Sequence, residues 1–115
     1  MSHEESGLQI ECVKWFRLAY PKLTIFAIPN AAKRGIILAS IMKREGMMAG
    51  VADLFLMHKD SGYSGMFIEM KTENGKQAET QKEFMLKCIH EGYQYMVAHT
   101  FDEFRAIINN YITPF

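Results

Sequence analysis

Apolar and polar positions recur along this 115-residue chain in two rhythms, and each change of rhythm marks an element. Near the start, Leu8, Cys12, Trp15 and Ala19 fall at three- and four-residue spacing. That is one stripe of a helix over residues 3–20, stopped by Pro21. Ser2 and Glu5 have the spacing of a capping box at its start. Residues 23–28 are a short β-rich run, closed by Pro29 and Asn30. Helical spacing returns over residues 35–45, with Ile36, Ile37, Ala39, Ser40 and Ile41 supplying much of the packing surface and Gly46 as the cap. Farther on, Gln81, Phe84 and Cys88 share one face of a helix over 77–91, capped by Gly92. Residues 93–98 read as a strand. Thr100 and Glu103 open a last helix over 101–111, packing through Phe104, Ile107 and Ile108.

Between these helices lies the stretch that organises the rest. Residues 51–58 are apolar and suit a buried strand, 60–65 are dense in turn formers, and 66–71 form a second strand. The two make a hairpin. Alternation on the second arm sends Phe67, Glu69 and Lys71 to one face and Met66, Ile68 and Met70 to the other. With the turn centred near Gly62, Asp53 lies across from Glu69 or diagonal to it. The element order is helix, strand, helix, strand, strand, helix, strand, helix. A hairpin followed by a strand–helix–strand crossover implies an α/β domain, a mixed sheet covered by helices.

Two acids and a lysine thus converge at one end of a hairpin. Two close carboxylates repel, and burying either one unpaired is costly. A divalent cation resolves both problems, since Mg²⁺ takes one or two carboxylates together with phosphate oxygens and water. A plain alternative is a strand-end ion pair between Glu69 and Lys71 with Asp53 capping a turn. Glu11 sits on the edge of the first helix's apolar stripe, either paired to a nearby base such as Lys14 or serving as a third carboxylate at the site. Asn30, Lys33 and Arg34 belong to a loop of small and basic residues that suits phosphate contact, or is simply solvated.

Length and composition narrow the field. The chain is long enough for one domain and too short for two. Formal net charge is zero, so any nucleic-acid binding must come from a local basic cluster. Cys12 and Cys88 fit no zinc or redox spacing and read as buried thiols of a reducing compartment. The start of the chain is no signal peptide, and no apolar run is long enough to span a membrane. The four histidines form no ligand spacing, and neither a phosphate-cradling glycine loop nor a serine-nucleophile motif occurs.

A strand, an Asp on the next strand, Glu-x-Lys after a hairpin, a helix and a last strand resemble the PD-(D/E)xK, restriction-endonuclease-like nucleases. The motif here is Ala52-Asp53 and Glu69-Met70-Lys71, with alanine where the superfamily name has proline. Ile28-Pro29-Asn30, Lys33-Arg34, Gly46, the run from Gly50 to Phe55, Ile68 to Lys71, Gln81-Lys82 and Gly92-Tyr93 narrow the resemblance to the virus-type replication-repair nuclease (VRR-NUC) domain. The resemblance implies that Asp53, Glu69 and the carbonyl of Met70 hold Mg²⁺ or Mn²⁺. Lys71 would activate a water, Glu11 would complete the metal environment, and Gln81 would face the site. It further implies a homodimer of the stand-alone phage or bacterial type, resolving Holliday junctions in DNA repair within the cytoplasm. The expected activity is therefore a structure-specific DNA endonuclease. The alternatives are a flap or single-strand nuclease, or a DNA-binding or assembly module without catalysis.

Overall fold

The structure, a computed structural model, describes residues 2–29 and 35–114. Eight elements follow in the expected order: α1 (His3–Ala19), β1 (Thr24–Ala27), α2 (Ile36–Arg44), β2 (Leu54–Met57), β3 (Met66–Met70), α3 (Glu79–His90), β4 (Gln94–Ala98) and α4 (Phe101–Tyr111). The strands form one sheet in the order β1-β2-β3-β4. The first two pairings are antiparallel and β3 pairs with β4 in parallel. A parallel neighbour needs a crossover connection, and α3 supplies it. The fold is that of a restriction-endonuclease-like domain, a mixed sheet flanked by helices.

The hairpin turn is tight. Asp60 and Tyr63 exchange backbone hydrogen bonds of 3.1 and 2.8 Å, while Ser61 (φ 52°) and Gly62 (φ 83°) both adopt the left-handed region. Such a two-residue turn matches the twist of the flanking strands. Asp60 then anchors the end of the chain, accepting from the backbone N–H of Thr113 at 2.7 Å.

Alternation along the strands divides the protein into two faces, as the sequence pattern implies. Met66, Ile68 and Met70 join Leu54, Leu56 and Ile25 against Cys12 and Phe16 of α1 and Phe104, Ile108 and Tyr111 of α4. Phe67 turns the other way, tilted against Phe55 (ring centroids 4.6 Å apart) and edge-on to Phe84 of α3 (5.1 Å). Ala52, Cys88 and Tyr95 complete that second cluster. Cys12 and Cys88 are both buried free thiols, one on each face, so the sheet keeps them apart.

Three expectations need correction. On α1, Phe16 is fully buried and Ala19 is exposed, because Cys12 and Phe16 are the residues turned into the core, with Leu8 partly buried beside them. On α2 no residue is buried, and Ile36 remains 90% exposed. Its apolar spacing forms a helix but finds no cover among the described residues. At α4, Thr100 caps through Glu103 N (3.1 Å), but the Glu103 carboxylate reaches the backbone N–H of His99 instead of closing the box. No helix among the described residues is long and apolar enough to cross a membrane.

Candidate active site

The site begins where the β2–β3 ladder ends. Leu54 pairs with Ile68, and one further step sets Asp53 opposite Glu69. Asp53 keeps its backbone on the β1 side, its carbonyl accepting from Ile28 N at 2.8 Å. Its side chain crosses to β3, where Oδ2 accepts from Met70 N at 2.7 Å. The predicted strand over 51–58 is therefore shorter, and residues 50–53 form a loop that delivers the carboxylate. Gly50 (φ +88°) makes that path possible. A Cβ there would lie 2.3 Å from the carbonyl oxygen of Thr80, so only glycine lets the loop lie against the first turn of α3.

Glu69 is only 3% exposed on the α3 face of β3. Its Oε1 accepts from Gln81 Nε2 at 3.0 Å and its Oε2 from the Tyr95 hydroxyl at 3.4 Å. Gln81 has its own orientation set by the helix, because its Oε1 accepts from Ala78 N at 2.7 Å. That bond leaves the amide NH₂ aimed at Glu69. The glutamine singled out in sequence for lying in line with core residues is thus explained: its polar end is at the site while Phe84 and Cys88 on the same face pack below.

The electrostatics of the pair follow from this burial. Asp53 is held above the ordinary carboxylate range, chiefly by burial, against the lowering effect of its shared hydrogen bond with Glu69, the Met70 N–H and the Lys71 charge. Glu69 is pushed up to about 9, first by burial and then by the negative charge of Asp53. Two carboxyl groups this close and this dry cannot both ionise alone, so without a counter-charge the pair keeps a proton at neutral pH.

Lys71 follows Met70 at the end of β3, its backbone N–H donating to Ala98 O at 3.0 Å. Its ammonium lies close enough to lower both carboxyl groups, and no ion pair claims it among the described residues. The structure thus brings Asp53, Glu69, Met70, Lys71 and Gln81 together. Glu11 is placed differently. It is exposed, lining a cleft with Glu4, Glu5, Leu8, Thr72, Glu73 and His99 beside the end of β3. Among the described residues no three His, Cys, Asp or Glu side chains converge to hold a metal, so Glu11 makes no three-carboxylate cluster with Asp53 and Glu69. The α1 acid whose charge does reach Asp53 is Glu5. Sequence reasoning assigned Glu5 to the helix cap, a role it also performs by accepting from Ser2 N at 3.2 Å. Asn30, Lys33 and Arg34 lie outside the described residues. Tyr95 and Gln77 were not legible as site residues, since the parallel register of β4 brings Tyr95 to Glu69 and the packing of the segment before α3 brings Gln77 to the Tyr95 hydroxyl.

The donor set fits a hard divalent cation. Two carboxyl groups converge at a strand end, both with pKa raised by burial, and Lys71 is the cation near them. An open arrangement of this kind, with few protein ligands and room for substrate oxygens, is what Mg²⁺ and Mn²⁺ prefer over a closed cage.

A mixed sheet with Asp just ahead of one strand and Glu-x-Lys at the end of the next, Glu69 buried and Asp53 partly so, is the arrangement of a PD-(D/E)xK nuclease core. The family model described as the VRR-NUC domain matches residues 1–102, and the chain belongs to that family. A solved structure described as a "VRR_NUC domain protein" is similar over 97% of this chain and 90% of its own, with 26% identity and a TM-score of 0.79. A search of curated proteins finds no match. Membership makes the domain a nuclease, with DNA as the implied substrate.

Proposed function

We propose that this chain is a metal-dependent, structure-specific endonuclease that hydrolyses phosphodiester bonds in branched DNA, with the four-way junction as its principal substrate. The observation that carries the reading is the convergence of Asp53 and Glu69 beside Lys71, with both acids held protonation-prone by burial. Asp53, Glu69 and the Met70 carbonyl hold Mg²⁺ or Mn²⁺. The ion supplies positive charge at the scissile phosphate. Lys71 orients the attacking water and offsets charge that grows on the phosphoryl oxygens. Gln81 keeps Glu69 turned toward the ion. Glu11 and Glu5, on the wall of the adjoining cleft, extend the acidic surroundings of the site. Asn30, Lys33 and Arg34 contact the DNA backbone, which gives local positive charge to a chain with none overall.

A four-way junction is resolved by two cuts in strands related by approximate two-fold symmetry. One site of this size cuts one strand per encounter, and a homodimer supplies the matching second site. Support for self-association comes from α2, whose Ile36, Ile37, Leu38 and Ile41 all stand exposed. An apolar helix left uncovered is an interaction surface in waiting.

The test is cleavage of a panel comprising four-way junction, flap, single strand and linear duplex, with Mg²⁺ or Mn²⁺ and with chelator, paired with light scattering at micromolar concentration. Metal-dependent paired cuts in the junction by a dimer support the proposal. A strict monomer that nicks a cruciform once would replace it with a flap or single-strand nuclease. Binding without cleavage of any member would leave a DNA-binding or assembly module.

A further inference from the structure

We infer that Tyr95, held by Gln77, is a positioning residue that fixes the Glu69 carboxylate for the cation; the inference rests on the nuclease reading above. Tyr95 is 5% exposed, and its ring belongs to the cluster of Phe84, Cys88 and Ala52. A phenylalanine would fill the same apolar volume without burying a hydroxyl, and a buried phenol needs a partner. Two partners are present. Gln77 Nε2 lies 3.2 Å from the phenol oxygen, and Glu69 Oε2 lies 3.4 Å from it.

The chemistry of these groups sets the direction of the chain of bonds. An amide NH₂ can only donate. The phenol oxygen therefore accepts from Gln77, and its own proton is left for Glu69. At 3.4 Å the contact with Glu69 is longer than an ordinary O–H···O bond; a bond to an ionised carboxylate is shorter. Gln81 approaches the other oxygen, Oε1, at 3.0 Å. Each oxygen of Glu69 thus receives one donor, and both donors are governed by one short stretch at the start of α3. Gln77 acts through Tyr95, and Gln81 is turned by the Ala78 N–H. Two donors on opposite oxygens lock the plane of the carboxylate and leave a lone pair on each for what enters between Glu69 and Asp53. Partners of this kind behind a metal ligand are worth about 10–100-fold in affinity.

The experiment is Mn²⁺ binding by calorimetry without DNA, for the wild-type chain, Tyr95→Phe, Gln77→Met and the double variant. Tyr95→Phe is expected to raise the Mn²⁺ Kd by about 10–100-fold and to leave the melting temperature within a few degrees. Gln77→Met should raise Kd roughly 3–10-fold, the worth of a neutral hydrogen bond. The double variant should be no weaker than Tyr95→Phe, because Gln77 acts only through the phenol. Cleavage by Tyr95→Phe should recover at saturating Mn²⁺ and fail at low Mn²⁺, a split that general loosening of the core would not produce. A wild-type Kd in a well-folded Tyr95→Phe protein overturns the inference. If that variant does not fold, an unchanged Kd in Gln77→Met overturns it. Wild-type protein that binds no Mn²⁺ and cuts nothing overturns the nuclease reading as well, and so is distinguishable from failure of this step alone.

Discussion

The two faces of β3 differ in a way that explains the whole domain. On the α1/α4 face, Met66, Ile68 and Met70 are at most 1% exposed and pack into the apolar core with the thiol of Cys12. On the α3 face the strand changes character along its length. At the turn end, Phe67 sits among Phe55, Phe84 and Tyr93. Two residues on, Glu69 is as buried as its neighbours but surrounded by Asp53, Gln81 and Tyr95. One face carries the stability. The other spends some of it to hold two acids where water would otherwise keep them apart. An aromatic floor beneath a polar end excludes water from the acids, and that exclusion is what makes them ready for a cation.

Substitutions on the two faces should therefore fail in opposite ways. The largest effect is expected at the polar end. Asp53→Asn, Glu69→Gln and Lys71→Ala should each reduce cleavage by roughly a thousandfold or more, with circular dichroism unchanged. Near-normal cutting by Glu69→Gln would sink the assignment of Glu69. Next comes the apolar face: Ile68→Ala, one residue away, should cost about 2–5 kcal/mol in urea unfolding while the remaining folded protein cuts normally. Loss of cleavage without loss of stability in that variant would erase the distinction between the faces.

The last effect concerns pH. Burial and Asp53 raise Glu69 from 4.5 to about 9 in the folded protein, so between those values the folded state binds more protons than the unfolded state. Metal-free stability is then fully present below pH ~4.5 and lost as pH rises toward 9. Melting temperature measured from pH 5 to 9 with chelator should fall, by roughly 5 °C per kcal/mol lost. Glu69→Gln should flatten that slope, and added Mn²⁺ should reverse it. A metal-free melting temperature that climbs over this range would mean that the two acids are not forced together as described.

Much of this was legible beforehand because it is periodic. The alternation that separates Ile68 from Glu69 is a property of any strand. The turn pair Asp60–Tyr63 by itself would set Asp53 opposite Met70, and the β2–β3 ladder, one residue out of step with the turn, sets it opposite Glu69. Helical spacing put Gln81 in line with Phe84 and Cys88; that it faces the acids was implied by the family resemblance and is seen in its bond to Glu69. What periodicity could not give was contact between segments with no shared rhythm. Phe16 instead of Ala19 took the core because depth under the sheet, not stripe membership, decides burial. The charge of Glu5 reaches Asp53, because the approach of α1 to the strand end is a matter of packing. The exposed α2 shows the same limit from the other side, since apolar spacing states a wish for cover without naming it.

By itself the sequence determined the order of elements, the two faces of the sheet and the identity of the acid pair with its lysine. These depend on residues close in the chain, where backbone geometry dictates direction. Tertiary structure decided that Tyr95 and Gln77 stand behind Glu69 and that position 50 has no room for a Cβ against the Thr80 carbonyl. Those contacts join β4, the start of α3 and the loop before β2. Their distances are set only when helix and sheet close on one another and exclude the water between them.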